Sequence, residues 1–216
     1  MTSIRTARYL TILSIISMAA AATTATAQAQ SGTKQAEKLR ERAGETVDAM
    51  RAARLQVGST LAEYNTILEG EAEDNRAAYK QLQKALTKSE ESAVDVLSAI
   101  GRMEEVANEY FESWEGSLAG FSSEDMKARS KERLADTQER YQNILRAARE
   151  SGQAFSPFVT QLKDQILFLG HDLNPSAIAA LAPDAEKLNA QATEVFSDVD
   201  KTIATASEYS ESLEAD

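Results

Sequence analysis

Eleven residues, Tyr79, Leu82, Leu86, Ser89, Ala93, Val96, Ile100, Met103, Ala107, Tyr110 and Trp114, follow one another at alternating steps of three and four. A second unbroken run goes Leu134, Gln138, Tyr141, Leu145, Ala148, Gly152, Phe155, Val159, Leu162, Ile166 and Leu169. Each covers five heptads without a slip. Apolar residues at the a and d positions of a helix make a seam that another helix must cover. Looser runs precede and follow. The first uses Ala36, Leu39, Ala43, Val47, Met50, Val57, Leu61, Tyr64 and Leu68, with Arg54 at one core-type position. The last uses Leu188, Ala192, Val195, Val199, Ile203 and Ala206.

Punctuation between the runs sets the element boundaries. Glu69-Gly70-Glu71 separates the first two, and Gly116 to Ser123 separates the second from the third. Ser122 or Ser123 is placed to cap the next helix, with Glu124 and Asp125 in its first turn. Gly170 closes a helix, Asn174-Pro175 opens a short one, and Pro183 marks a further start. The spacing therefore predicts helices over 33–69, 72–117, 123–172 and 184–213, with a short one near 175–182. Three prolines and nine glycines in 216 residues suit that reading. The expected fold is all-α, an elongated antiparallel helical bundle or coiled coil of about four long helices, forming one domain over 30–216. Pro157 deletes a backbone donor inside the third run, so a kink is expected there rather than a boundary.

The amino terminus has the three parts of a secretory signal. Arg5 and Arg8 form a positive n-region, Tyr9 to Ala22 an apolar run, and Ala25-Thr26-Ala27 or Ala27-Gln28-Ala29 a cleavage site. Residues 1–29 are accordingly expected to be removed and the mature chain to be periplasmic. Removal takes two arginines and no acid, moving the formal charge from −11 to −13. Such acidity argues against nucleic acid as a partner. The chain has no cysteine, which excludes disulfides and a lipid on an amino-terminal thioether. Membrane contact is then peripheral, not integral.

The residues that could carry chemistry do not assemble into a known pattern. Glu105, Glu109 and Glu112 share a helical face beside Glu104 and Glu115. A carboxylate-bridged metal site in a bundle also wants Glu-x-x-His pairs. Phe168 lies three residues before the one histidine, His171. GxSxG, GxxxxGK[ST] and GxGxxG are all missing. Neither an enzyme nor a cofactor is expected. Trp114, Tyr110, Phe111 and Phe121 gather near one turn and read as the apolar plug of a bundle end. Lys80, Lys84 and Lys88 align at i, i+4 and i+8 and, with Lys127, Arg129, Lys131 and Arg133, give an alternative reading as a membrane-surface coiled coil.

The stretch RYQNILRAARESGQAFSPFVTQLKDQILFLGHDLNPSAIAAL, residues 140–181, carries the most distinctive pattern. It resembles the hallmark of an uncharacterised bacterial envelope family, domain-of-unknown-function family 2959. The matching residues are Pro157, Asp164, Gln165, Leu167, Phe168, Leu169, His171, Leu173, Asn174, Ala177 and Ile178, joined upstream by Phe111, Glu112, Trp114 and Glu115. Gly170 and Asp172 stand where the family usually has Lys and Asn. Many members resemble lipoproteins, and this chain lacks the cysteine for that tether. The resemblance brings no known activity. It directs attention to Trp114, Pro157, Asp164, Gln165, His171 and Asn174 as a candidate interaction hotspot. The expected role is a scaffold or protein-binding module, with an envelope protein or a second copy as partner.

Overall fold

The computed structural model describes the backbone of residues 6–212 and the side chains from Gly32 to Glu211, apart from Ala154 and Ser210. The first five residues, with Arg5 of the expected signal, lie outside the described residues, as do the side chains of the rest of that segment. Six helical elements follow: α1 (Thr6–Leu68), α2 (Asn75–Ser117), a 3-10 turn (Leu118–Gly120), α3 (Glu124–His171), α4 (Pro175–Ala180) and α5 (Ala182–Ser212). No strand occurs among the described residues.

Local chemistry explains the boundaries. Gly70 takes φ +72°, the left-handed conformation that glycine adopts without a Cβ penalty. Its N–H donates to the Ile67 carbonyl at 3.3 Å, and that of Glu71 reaches the Thr66 carbonyl at 3.1 Å. These two bonds are a Schellman closure of α1. The Asp74 carboxylate then accepts the Arg76 and Ala77 N–H groups at 2.8 and 3.2 Å, which delays α2 to Asn75 rather than residue 72. Ser123 caps α3 through Met126 N–H, and Asn174 caps α4 through Ala177 N–H. One expectation changes at the other end. The helix expected from residue 33 extends upstream to Thr6. A lone Gly32 costs only about 1 kcal/mol in a helix and carries no reversal.

The four long helices run alternately up and down. As α1 rises from Arg51 through Arg54 to Asn65, its partners in α5 fall from Ser207 through Asp200 to Asn189. From α2 to α3, Glu90 meets Lys163, Glu104 meets Arg149 and Trp114 meets Ser130. From α3 to α5, Ser151 bonds Thr202 at 2.6 Å and Phe158 stacks edge-on to Phe196 at 5.8 Å. With α2 also packed along α1, the ring closes as α1, α2, α3, α5. At 43 and 48 residues, α2 and α3 are roughly 65 and 72 Å long.

The heptad seams are the interior, but they are wider than a and d alone. In α1 a third column, Thr46, Ala53, Thr60 and Ile67, repeats every seven residues and is buried. Ile144, Ser151 and Phe158 do the same in α3. A helix with neighbours on two sides must cover a broader stripe than one in a two-stranded coil. The apolar core forms two clusters, one centred on Leu39, Met103, Tyr141 and Tyr209, the other on Tyr64, Leu82, Leu162 and Leu188. Half-buried Phe155 packs against both. Between them lie small or hydroxylated residues, including the buried Thr60–Ser89 bond at 2.8 Å and the Ser151–Thr202 pair. Helix α3 runs unbroken through Pro157, with Phe158 and Leu162 still buried beyond it.

Candidate functional site

The Asp164–Asn174 block occupies the end of the bundle where α1 turns into α2 and α3 passes through α4 into α5. Most of it is explained by packing. Ile166 and Leu169 are fully buried in the second cluster. Gln165 is a junction: its Oε1 accepts from the Tyr64 hydroxyl across the bundle, and its Nε2 donates to the Asp184 carbonyl at 3.3 Å. Tyr64 has no exposed surface, and burial raises its pKa well above the ordinary tyrosine value. Gly170 faces the Tyr79 hydroxyl so closely that a Cβ there would overlap it, and that hydroxyl accepts from Gln83 Nε2 at 3.2 Å. Asp172 accepts the Asn174 N–H at 2.9 Å and its side-chain amide, while Asn174 caps α4. His171, the last residue of α3, is exposed, as are Asp164, Leu167 and Phe168.

The six candidate hotspot residues do not meet in one site. Trp114 lies at the opposite end, some 35 residues up α2 from Tyr79, or about 50 Å. Its indole N–H donates to Ser130 Oγ at 2.9 Å, and its ring lies 5.5 Å from Tyr110. Phe111 beside it is buried against Tyr141. This is the bundle-end plug expected from the aromatic cluster. Pro157 is exposed at mid-height on α3. The hotspot therefore divides into an architectural joint, a plug and an isolated surface proline.

The acidic stretch on α2 is spread over two neighbours. Glu104 pairs with Arg149 of α3, Glu109 pairs with Lys38 of α1 at 3.3 Å, and Glu105, Glu112 and Glu115 are exposed. Among the described residues no three His, Asp or Glu side chains converge as metal ligands.

Several features escaped the sequence reading. Arg54, at its core-type position, lies over the Phe196 ring at 4.8 Å and forks onto both Asp200 oxygens at 3.1 Å. Together with Thr193 and Lys201 these residues line a shallow open groove between α1 and α5. The Tyr141 hydroxyl is buried with no hydrogen-bond partner, and burial pushes its pKa up to about 12. Most telling, Leu55, Val94 and Leu97 point outward at mid-height, beside an interior built from small residues. Heptad phase is the signal that could have placed them, since none of the three falls on an a or d position.

Among the described residues, no helix is long and apolar enough to cross a membrane. No curated protein and no solved structure matches the chain. The profile of a family described as a protein of unknown function, DUF2959, matches residues 25–213, nearly the whole chain. By that match the chain belongs to the DUF2959 family.

Proposed function

We propose that the protein is an exported, non-catalytic helical module that works in the periplasm by binding an envelope protein or a second copy of itself. The observation that carries this reading is the exposure of large apolar side chains on three of the long helices: Leu55 on α1, Val94 and Leu97 one turn apart on α2, and Leu167 and Phe168 adjacent on α3. Neighbouring exposed apolar side chains, as in the pairs Val94 with Leu97 and Leu167 with Phe168, are commonly covered by a partner. Export is supported by the Arg5, Arg8, Tyr9–Ala22 and Ala-x-Ala pattern. Crosslinking in cells followed by identification of the captured chain tests the reading. Specific capture of one envelope protein or of a second copy supports it, and no capture at native expression refutes it.

A second reading has its own observation. Lys80, Lys84 and Lys88 are all exposed along one stripe of α2. Such a stripe attracts an anionic lipid surface by roughly 1 kcal/mol per cation. Co-sedimentation with anionic vesicles at low salt, lost in K80E/K84E/K88E, supports this alternative; failure of the wild type to sediment removes it.

A further inference from the structure

The outer face shared by α2 and α3 has a repeating frame. Glu90 and Glu104 stand fourteen residues apart on α2, and their partners Lys163 and Arg149 stand fourteen apart on α3. The two ion pairs are therefore about 21 Å apart along the bundle. Midway between them, in the same heptad columns, are Leu97 on α2 and Ser156 on α3. Leu97 is 70% exposed and Val94, one turn away, is 61% exposed. One turn on from Leu97 is Gly101, and one turn before Ser156 is Gly152. A Cβ at either glycine would meet nothing within 4 Å, so neither is required for helix approach within the chain. Each instead leaves open space beside an exposed leucine. The hydroxyls of Ser98 and Thr160 bond back to the Val94 and Ser156 carbonyls at 2.9 and 3.0 Å, which lowers the polarity of the floor.

We propose that a second copy of this chain docks here, about a two-fold axis parallel to the bundle, so that α2 of each copy lies over α3 of the other. This deepens the functional reading above and rests on it. The charge pattern selects the occupant. Under that symmetry heights are preserved and α2 faces α3, so Glu90 opposes the other copy's Lys163 and Glu104 opposes its Arg149. Each ion pair becomes a four-charge ring, and no like charges within the frame are opposed. Leu97 of one copy enters the space over Ser156 and Gly152 of the other, twice. The apolar centre is short, so the dimer is weak and reversible.

The test uses the full mature chain at physiological ionic strength, where a Debye length of about 8 Å screens the overall negative charge. Light scattering from about 10 μM to about 1 mM, bracketing a weak affinity, should show mass rising from one copy toward two. The substitution L97R sits at an exposed position and should leave the melting temperature unchanged while raising the dissociation constant at least about tenfold. Because the chain has no cysteine, L97C and S156C chains can be mixed and mildly oxidised. Mixed dimers should exceed either homodimer. A strict monomer overturns the inference, as does an L97R protein that dimerises like the wild type or a preference for L97C–L97C links. A strict monomer that still captures another envelope protein in cells overturns this inference and leaves the functional reading intact. A dimer in solution with no capture of any kind in cells does the reverse.

Discussion

Gln165 offers the sharpest energetic test, because it is half-buried and serves a hydroxyl that has no other way to be satisfied. The Tyr64 side chain is fully enclosed, and its hydroxyl donates to Gln165 Oε1. Replacing Gln165 with Leu strands that donor away from water, which costs about 1–3 kcal/mol. Loss of the Gln165 bond to the Asp184 carbonyl adds about 0.5–1 kcal/mol, less than an average hydrogen bond because it is long at 3.3 Å and exposed. The Tyr64→Phe change is milder. It removes the donor outright, and the partly exposed amide of Gln165 can turn to water, so about 1 kcal/mol is expected. The double variant Y64F/Q165L leaves two apolar groups facing each other. Its loss should therefore fall short of the sum of the singles by about 1–2 kcal/mol, a coupling well within the range for residues in contact. At a chain of this size, 1 kcal/mol corresponds to about 2–4 °C in Tm. Denaturant unfolding followed by circular dichroism reads all four corners of the cycle. Additive losses would mean that the hydroxyl and the amide do not depend on each other, and would overturn the Tyr64–Gln165 assignment.

Other outcomes follow from the same structure. G101A should raise stability by about 1 kcal/mol, because nothing obstructs its methyl, while G170A should lose that gain against the Tyr79 hydroxyl; thermal melts compare them. P157A restores a backbone donor to an exposed position inside a continuous helix and should stabilise by as much as about 3 kcal/mol, read from the denaturation midpoint. R54K keeps the charge but loses the fork onto Asp200 and the flat stacking on Phe196, costing about 0.5–1 kcal/mol by denaturant titration. Tyr64, Tyr141 and Tyr209 have folded pKa values raised by burial. Below an unfolded value of about 10 both states hold the proton and their contribution is complete. As pH climbs above it the unfolded chain ionises first, so stability should fall steeply there, and less steeply in Y141F. Alkaline melts monitored by circular dichroism check the slope.

The fold was largely legible because heptad spacing reports burial directly. Leu82, Met103, Leu145 and Leu162 all lie in the interior that their spacing implies. The third buried column was not legible. Thr46, Thr60 and Ser151 are polar by composition, and their burial depends on hydroxyl partners that spacing does not reveal, such as Ser89 for Thr60 and Thr202 for Ser151. Leu97 and Val94 are apolar yet outside, and heptad phase does report it: neither stands at an a or d position, whereas half-buried Ala93 and Val96 and buried Ile100 do. For the hotspot, sequence similarity joined Trp114 to the Asp164–Asn174 block, while geometry separates them by most of the length of α2. A linear pattern does not distinguish a residue that holds helices together, such as Gln165, from one that meets a partner.

Residues that meet a partner and residues that hold the helices together can be told apart in cells. A photo-crosslinking amino acid is placed in cells at position 97 on the outer face, or at position 165 in the joint, followed by irradiation and analysis of adducts between chains. An intermolecular adduct is expected from position 97, and from position 165 only links within the chain. Intermolecular capture from position 165 with none from position 97 would contradict that expectation.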